Sequence, residues 1–148
     1  MTDEEAIANL NHHLTTIGIV GHAQAWLLSI YSAIQVFDDV ADGDTVSRPA
    51  LDRVIWDVLV SMPINPFYRE HAHSLAPIVG QCVLKWQTSD AMERDGKASP
   101  VSFVWRAGFY DLVLSVASIV HGQGAAIALG PVIACMYGET LETYLEEF

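Results

Sequence analysis

Apolar residues recur along this chain at intervals of three and four, which is the spacing of one face of an α-helix. One clear example is the segment 51–59, where five apolar residues share a face and the charged residues fall elsewhere: Leu51, Val54, Ile55, Val58 and Leu59. No segment alternates apolar and polar residues between hairpin turns, as exposed strands would. The pattern predicts an all-α protein.

Helix-start signals divide the chain into about six predicted helices. Thr2 with Glu5 three residues later forms a capping box, and the pairs Asn65-Pro66 and Ser99-Pro100 each place a capping residue before a proline. The predicted helices cover about residues 3–15, 17 or 21 to 41, 49–61, 66–93, 100–120 and 125–146. The resulting prediction is a bundle of about six helices.

The length of the chain and two internal prolines refine this picture. A length of 148 residues is usual for one domain, so we expect a single helical domain over 1–148. Ala76-Pro77 and Gly130-Pro131 are expected points of bending or interruption, because proline removes a backbone hydrogen bond from a helix.

The chain is more apolar than an ordinary domain. Hydrophobic residues make up 51% and charged residues 17% of it, against about 25% charged in a typical soluble protein. Two uncharged stretches, 17–37 and 112–137, have the length of a membrane span, but both contain histidine and glutamine, and the second is also broken by glycine and proline. We therefore expect buried helices of a homo-oligomer rather than membrane-spanning helices.

Charge and cysteine content narrow the choice of partner and compartment. Seven basic and 18 acidic residues give a net charge of −11, which repels nucleic acid and anionic lipid. Cys82 and Cys135 lie far apart without a CxxC spacing, so they predict buried free thiols rather than a disulfide framework. The acidic N-terminus does not resemble a secretory signal, and we expect a cytoplasmic protein.

A cluster of carboxylates lies in the stretch AIQVFDDVADGD, residues 33–44. On a helix, Asp42 lies on the same side as Asp38 and Asp39, at spacings of four and three. Such an oxygen-rich corner suits Mg²⁺, and the helix C-terminus is an unfavourable place for negative charge. Asp38, Asp39 and Asp42 are therefore candidate metal ligands, and the alternative is a solvated helix end followed by a turn at Gly43.

This stretch resembles the second aspartate-rich motif of trans-isoprenyl diphosphate synthases, Q-x-x-D-D-x-x-D, with Gln35, Asp38, Asp39 and Asp42 at the defined positions. The resemblance covers about a dozen of the 148 residues. It implies an all-helical fold in which the three aspartates bind Mg²⁺ that bridges to a diphosphate, and Gln35 supports them by hydrogen bonding. The chain has no first aspartate-rich motif and no Lys-Thr dipeptide, so we do not expect a complete prenyl-chain elongating enzyme.

A second acidic pair, Asp90 and Glu93, has the spacing i, i+3 near the end of the fourth predicted helix. If the second and fourth helices are neighbours, the two acidic groups could face each other, as in all-α nucleotide pyrophosphohydrolases. The alternative is that both carboxylates are solvated at a helix end.

Arg106 and Lys85 interrupt apolar helical segments. Each could pair with a carboxylate on a neighbouring helix, or reach an anionic ligand held by the metal. Two interpretations therefore stay open for each residue: a structural ion pair, or a supporting role at the ligand.

Two functional hypotheses follow. One is a small all-α protein with a magnesium-binding aspartate cluster that binds or acts on a diphosphate-bearing or lipid-like ligand, as a terpenoid synthase or a pyrophosphohydrolase does. The other is a non-enzymatic helical oligomer or binding protein. The residues leave open whether the protein is an enzyme.

Overall fold

The structure is a computed structural model that describes residues 2–148. All regular secondary structure in this range is helical, which confirms the all-α prediction. The segments are α1 (Asp3–Thr16), α2 (Gly21–Asp42), α3 (Arg48–Trp56), a π-helical turn (Asp57–Ser61), α4 (Met62–Ile64), α5 (Pro66–Arg94), α6 (Pro100–Arg106), α7 (Phe109–His121), α8 (Gln123–Ala134) and α9 (Leu141–Glu146). The predicted number of about six helices is too low, because the last two predicted helices are each broken in two.

The chain forms two compact units. The first ends at Ala72, and the second comprises His73–Phe148. The expectation of one domain over 1–148 stays a prediction.

In the first unit, α1 and α2 pack against each other. The predicted capping box at the start of α1 is confirmed: the Thr2 hydroxyl accepts from the Glu5 N–H at 3.2 Å, and the Glu5 carboxylate accepts from the Thr2 N–H at 2.8 Å. Leu14 of α1 and Leu27 of α2 are completely buried. This apolar contact fixes α2, and with it the acidic stretch at its end.

A continuous helical rod runs from α3 through the π-helical turn into α4. The Ser47 side chain accepts a hydrogen bond from the Ala50 N–H and caps the start of α3. The rod ends at Ile64 rather than at the predicted Ser61, because Asn65 precedes a proline and adopts φ −57 and ψ 124, outside the helical region.

Helix α5 begins where the sequence predicts it. The Asn65 side chain accepts a hydrogen bond from the Tyr68 N–H at 3.1 Å. Pro77 lies inside α5 without ending it, and the backbone leaves helical geometry at His71 instead, with φ −113 and ψ 15.

In the second unit, the predicted helix over 100–120 is broken between α6 and α7. The break contains Gly108, where a Cβ atom would lie 3.3 Å from the Cα atom of Cys82. The Cys82 thiol donates to the Gly108 carbonyl at 2.9 Å. A larger residue at Gly108 would therefore require α5 to move by a few tenths of an ångström.

Helices α7 and α8 supply most of the core of the second unit. Its fully or nearly fully buried apolar residues include Leu112, Val113, Val116, Ala117, Ala126 and Ile133. Helix α8 continues through Pro131 and ends at Ala134, and α9 follows after a link. The anticipated interruption therefore comes a few residues later than Gly130-Pro131.

The prediction that both cysteines are buried free thiols is confirmed in part. Both are free, and Cys82 is buried as predicted, with burial raising the pKa of its thiol to about 11. Cys135 is exposed, so the prediction that both thiols are buried is wrong for that residue. It follows the end of α8, beyond the packed part of the helix.

Candidate functional site

The acidic corner at the end of α2 combines carboxylates from two helices. Asp38 and Asp39 are half-buried, and Asp42 is exposed in the last turn of α2. Gly43 ends the helix in the left-handed conformation, φ 77, as the sequence predicts. Asp3 from the first turn of α1 also acts electrostatically on this corner.

Burial and repulsion from neighbouring carboxylates act in the same direction on the pKa of Asp39, and burial is the larger cause. Burial raises the pKa of the Asp39 carboxyl above its ordinary value, and three nearby carboxylates raise it further: Asp3, Asp44 and Asp38. Asp3 similarly adds to the effect of burial in raising the pKa of Tyr31. The N-terminus of α1 therefore lies beside the C-terminal half of α2.

Asp3 is the member of the corner that sequence reasoning missed. The only signal was the acidic first turn of α1, in which the capping box uses Glu5 and leaves Asp3 without an assigned role. Recognising its role would have required knowing that α1 and α2 run antiparallel. The positive end of the α1 dipole then lies near the acidic end of α2.

Within residues 2–148, no group of three or more His, Cys, Asp or Glu side chains is arranged to hold a metal ion together. Magnesium binding by Asp38, Asp39 and Asp42 stays a prediction. Gln35 is half-buried about one turn before Asp38, and its supporting role is a prediction as well.

The second acidic pair has cationic partners within its own unit. Asp90 lies 2.8 Å from Arg94, its neighbour one turn along α5. Glu93 lies 3.5 Å from Arg106 and accepts a hydrogen bond from the Tyr144 hydroxyl at 2.6 Å. Only 14% of the Glu93 side chain is exposed, so this carboxylate is not a solvated helix end.

The two basic candidates form ion pairs, which is one of the two interpretations that the sequence left open. The Lys85 ammonium lies 2.7 Å from the Asp111 carboxylate. The Arg106 guanidinium lies 3.5 Å from Glu93 and 4.0 Å from Glu139. A further role of Lys85 or Arg106 toward an anionic ligand stays a prediction.

A different surface stands out on the rod formed by α3, the π-helical turn and α4. We call it the α3 patch; its members are large apolar side chains with exposed fractions of 38% to 71%: Leu51, Ile55, Trp56, Leu59 and Ile64. Val54, beside Leu51 and Ile55 on α3, is only 3% exposed. The sequence predicts one apolar face with five members: Leu51, Val54, Ile55, Val58 and Leu59. In the structure Val54 is buried and Val58 is half-buried, while the other three are exposed.

The π-helical turn contributes to this arrangement. A π turn contains an extra residue, so it rotates the following side chains relative to those of a regular α-helix, and such turns are frequent at functional sites. Leu59, in the middle of the turn, is the most exposed member of the patch at 71%.

Among the described residues, no single helix has both the length and the apolar character needed to cross a bilayer; α6 and α7 meet that criterion only when taken together as a pair bent by 49°.

Comparisons of the chain with protein-family models, with curated proteins and with solved structures find no match.

Proposed function

We propose that this chain is a self-associating helical protein in which two copies meet through the α3 patch. The observation that supports this most directly is the exposure of Trp56 and Leu59, at 62% and 71%, on one continuous rod. Large aromatic side chains such as Trp56 are among the residues that contribute most to binding when a partner covers them.

The exposure of the patch favours a partner that covers it. Its five side chains lie on one rod and are 38% to 71% exposed. Large exposed apolar groups that lie together mark interaction surfaces in soluble proteins.

The charge of the rod favours a second copy as the partner. Residues 48–64 contain two arginines and two aspartates, Arg48, Arg53, Asp52 and Asp57, so this segment is neutral within a chain of net charge −11. Arg48 and Asp52 also pair with each other at 2.8 Å. Two copies can meet at this segment without opposing their negative charges, because the net charge of −11 lies entirely in the rest of the chain.

The proposal is tested by sedimentation velocity over a range of protein concentrations. The wild-type chain is expected to form a dimer, and Leu59→Ser to weaken its dissociation constant about tenfold or more, as expected for a central contact. Leu84→Ser is a matched control, because Leu84 of α5 is exposed to a similar extent, 61%, outside the patch.

Two results would overturn the proposal. One is a wild-type chain that sediments as a monomer at about 100 µM, a concentration at which even a weak specific dimer is populated. The other is an equal loss of association in Leu59→Ser and Leu84→Ser.

A second candidate function is divalent-cation binding at the acidic corner, as the resemblance to the aspartate-rich motif implies. The observation that favours it is the raised pKa of Asp39, which burial raises most and neighbouring carboxylates raise further, since a cation between these carboxylates would relieve their repulsion. A bound Mg²⁺ would supply a bridge to a diphosphate group, held by Asp38, Asp39 and Asp42.

Calorimetric titration with Mg²⁺, with and without inorganic pyrophosphate, tests this second candidate. Binding that pyrophosphate strengthens and that Asp39→Asn abolishes would support it. Asp52→Asn is the control, since Asp52 is an exposed aspartate outside the corner. Absence of binding heat in the wild-type chain would exclude the corner as a magnesium site.

A further inference from the structure

Helix α8 is apolar on both of its sides, although only one side is covered. Ala126 and Ile133 point toward the core of the second unit and are 6% and 2% exposed. On the outer side, Ile127 and Val132 are 71% and 53% exposed. After Gln123 at its start, the other exposed residues of α8 are all small or apolar: Gly124, Ala128, Pro131 and Ala134. A helix that is apolar all round is normally buried in a protein or in contact with lipid.

The chain around α8 carries no charge that could select a charged partner. Residues 112–138 contain no Asp, Glu, Lys or Arg, although the whole chain has a net charge of −11. Asp111, the last charged residue before this stretch, lies 2.7 Å from the Lys85 ammonium and forms an ion pair with it. The outer side of α8 therefore offers a partner apolar contact alone.

The composition of this region favours lipid over a protein partner. Helices α6 and α7, which precede α8, together have the length and apolar character of a bilayer crossing, as a pair bent by 49°. Helix α8 has two glycines and a proline among its 12 residues, and both residue types are more frequent in membrane helices than in soluble ones. It has no Trp, Tyr or Arg, the residues that contribute most at protein interfaces, whereas the α3 patch contains Trp56.

The length of α8 limits the contact to one side of a bilayer. Twelve residues extend about 18 Å, whereas the hydrocarbon core of a bilayer is about 30 Å thick. The inner side of α8 is packed along α7, so only its outer side is open to lipid.

We propose that the outer side of α8 binds the surface of an electrically neutral lipid bilayer, with Ile127 and Val132 inserted among the acyl chains. Helix α7 stays packed on the inner side of α8, so binding does not require the second unit to unfold. The net charge of −11 opposes binding to anionic lipid and selects zwitterionic headgroups such as phosphatidylcholine. The surface belongs to the second unit, and it does not depend on self-association through the α3 patch of the first.

Flotation of the full chain with unilamellar vesicles tests the proposal. The vesicles consist of phosphatidylcholine alone or of phosphatidylcholine mixed with phosphatidylserine. We expect the wild-type chain to bind the neutral vesicles, and to bind the mixed vesicles less tightly at low salt because like charges repel. Ile127→Ser should lower the partition coefficient for neutral vesicles about tenfold, the factor expected when the burial of one isoleucine side chain is lost.

A matched pair of valines separates contact with α8 from a general loss of apolar surface. Val132 of α8 is 53% exposed, and Val40 near the end of α2 is 59% exposed. Val132→Ser should weaken binding to neutral vesicles, whereas Val40→Ser should leave it unchanged. Far-ultraviolet circular dichroism of both variants checks that each keeps its helices.

Three results with vesicles would overturn the proposal. They are a wild-type chain that does not float with phosphatidylcholine vesicles, tighter binding to the mixed vesicles, and equal losses in Val132→Ser and Val40→Ser.

Sedimentation without lipid distinguishes this inference from the proposed dimer. Weaker self-association of Ile127→Ser than of the wild-type chain would show that a second copy covers α8, and would overturn the lipid surface. A wild-type chain that is monomeric but binds neutral vesicles would overturn the α3 dimer and support the lipid surface.

Discussion

Helices α7 and α3 carry similar apolar patterns but differ in what covers them. In α7, Leu112 and Val116 are 1% and 0% exposed. In α3 and the following π turn, Ile55 and Leu59 are 47% and 71% exposed, although they lie on an apolar face of the same spacing. Apolar periodicity therefore predicts which residues share a helix face, but it does not predict whether the same chain covers that face.

The physical reason lies in the neighbours of each helix. Helix α7 packs along α8, which has no charged residue and buries Ala126 and Ile133. Helix α3 packs with α2 but buries only Val54 completely. We infer that the remaining face of α3 is covered by a second copy, and the following predictions compare the two helices.

The largest effect is expected in the buried helix. Leu112→Ala should lower the free energy of unfolding by about 2–5 kcal/mol, because it leaves a cavity between packed helices. Chemical denaturation measures this change. Leu114→Ala in the same helix is the control, since Leu114 is 39% exposed and should cost less than half as much. Equal costs would contradict the assigned burial of α7.

The start of α7 offers a second test. Gly108→Ala should destabilise the fold by about 1–3 kcal/mol, because the added methyl group would contact the Cys82 backbone at 3.3 Å. Gly124→Ala in α8 has no atom within 4 Å of the new methyl group and should be neutral or slightly stabilising. Thermal unfolding of both variants checks the difference, and a neutral Gly108→Ala would show that α5 does not approach this break.

A third prediction concerns the anchor of α9. Tyr144→Phe keeps the ring but removes the hydroxyl that contacts Glu93 and Ser102, so it should cost about 1–3 kcal/mol. Thr143→Phe places a ring at the exposed neighbouring position, and its free energy of unfolding is compared with that of Tyr144→Phe. Unchanged stability in Tyr144→Phe would contradict the buried hydrogen bonds.

The smallest effect on folding is expected in the α3 patch. Ile55→Ser should change the free energy of unfolding of the monomer by less than about 0.5 kcal/mol, as exposed substitutions usually do. Denaturation at low protein concentration measures the monomer alone. A loss as large as that of Leu112→Ala would mean that this chain itself covers Ile55.

The sequence was sufficient for features that depend on neighbouring residues. The caps at Thr2 and Asn65 and the helix end at Gly43 all lie where short-range patterns predict them. The break at Gly108 was not predicted, because it depends on Cys82, which is distant in sequence. Exposure of Cys135 was missed for a similar reason: an apolar sequence around a residue does not show where packing ends.

At the candidate sites, too, the sequence does not predict contacts between residues that are distant in sequence. The sequence identified Asp38 and Asp39, but the approach of Asp3 depends on the antiparallel packing of α1 and α2. The sequence also identified Arg106 and Glu93 as ionic candidates. It could not show that Tyr144 joins them, because α9 reaches this cluster from the opposite end of the second unit's sequence.

The measurement that tests the central claim most directly is the distance between spin labels on α3 of two copies. A label at Arg53→Cys stands at an exposed position of α3, and Cys135→Ser removes the exposed natural thiol. Helices in contact lie about 8–10 Å apart, so two labels on facing α3 helices should give a narrow distance distribution below about 25 Å. An associated protein without this short distance would contradict the proposal that α3 forms the interface.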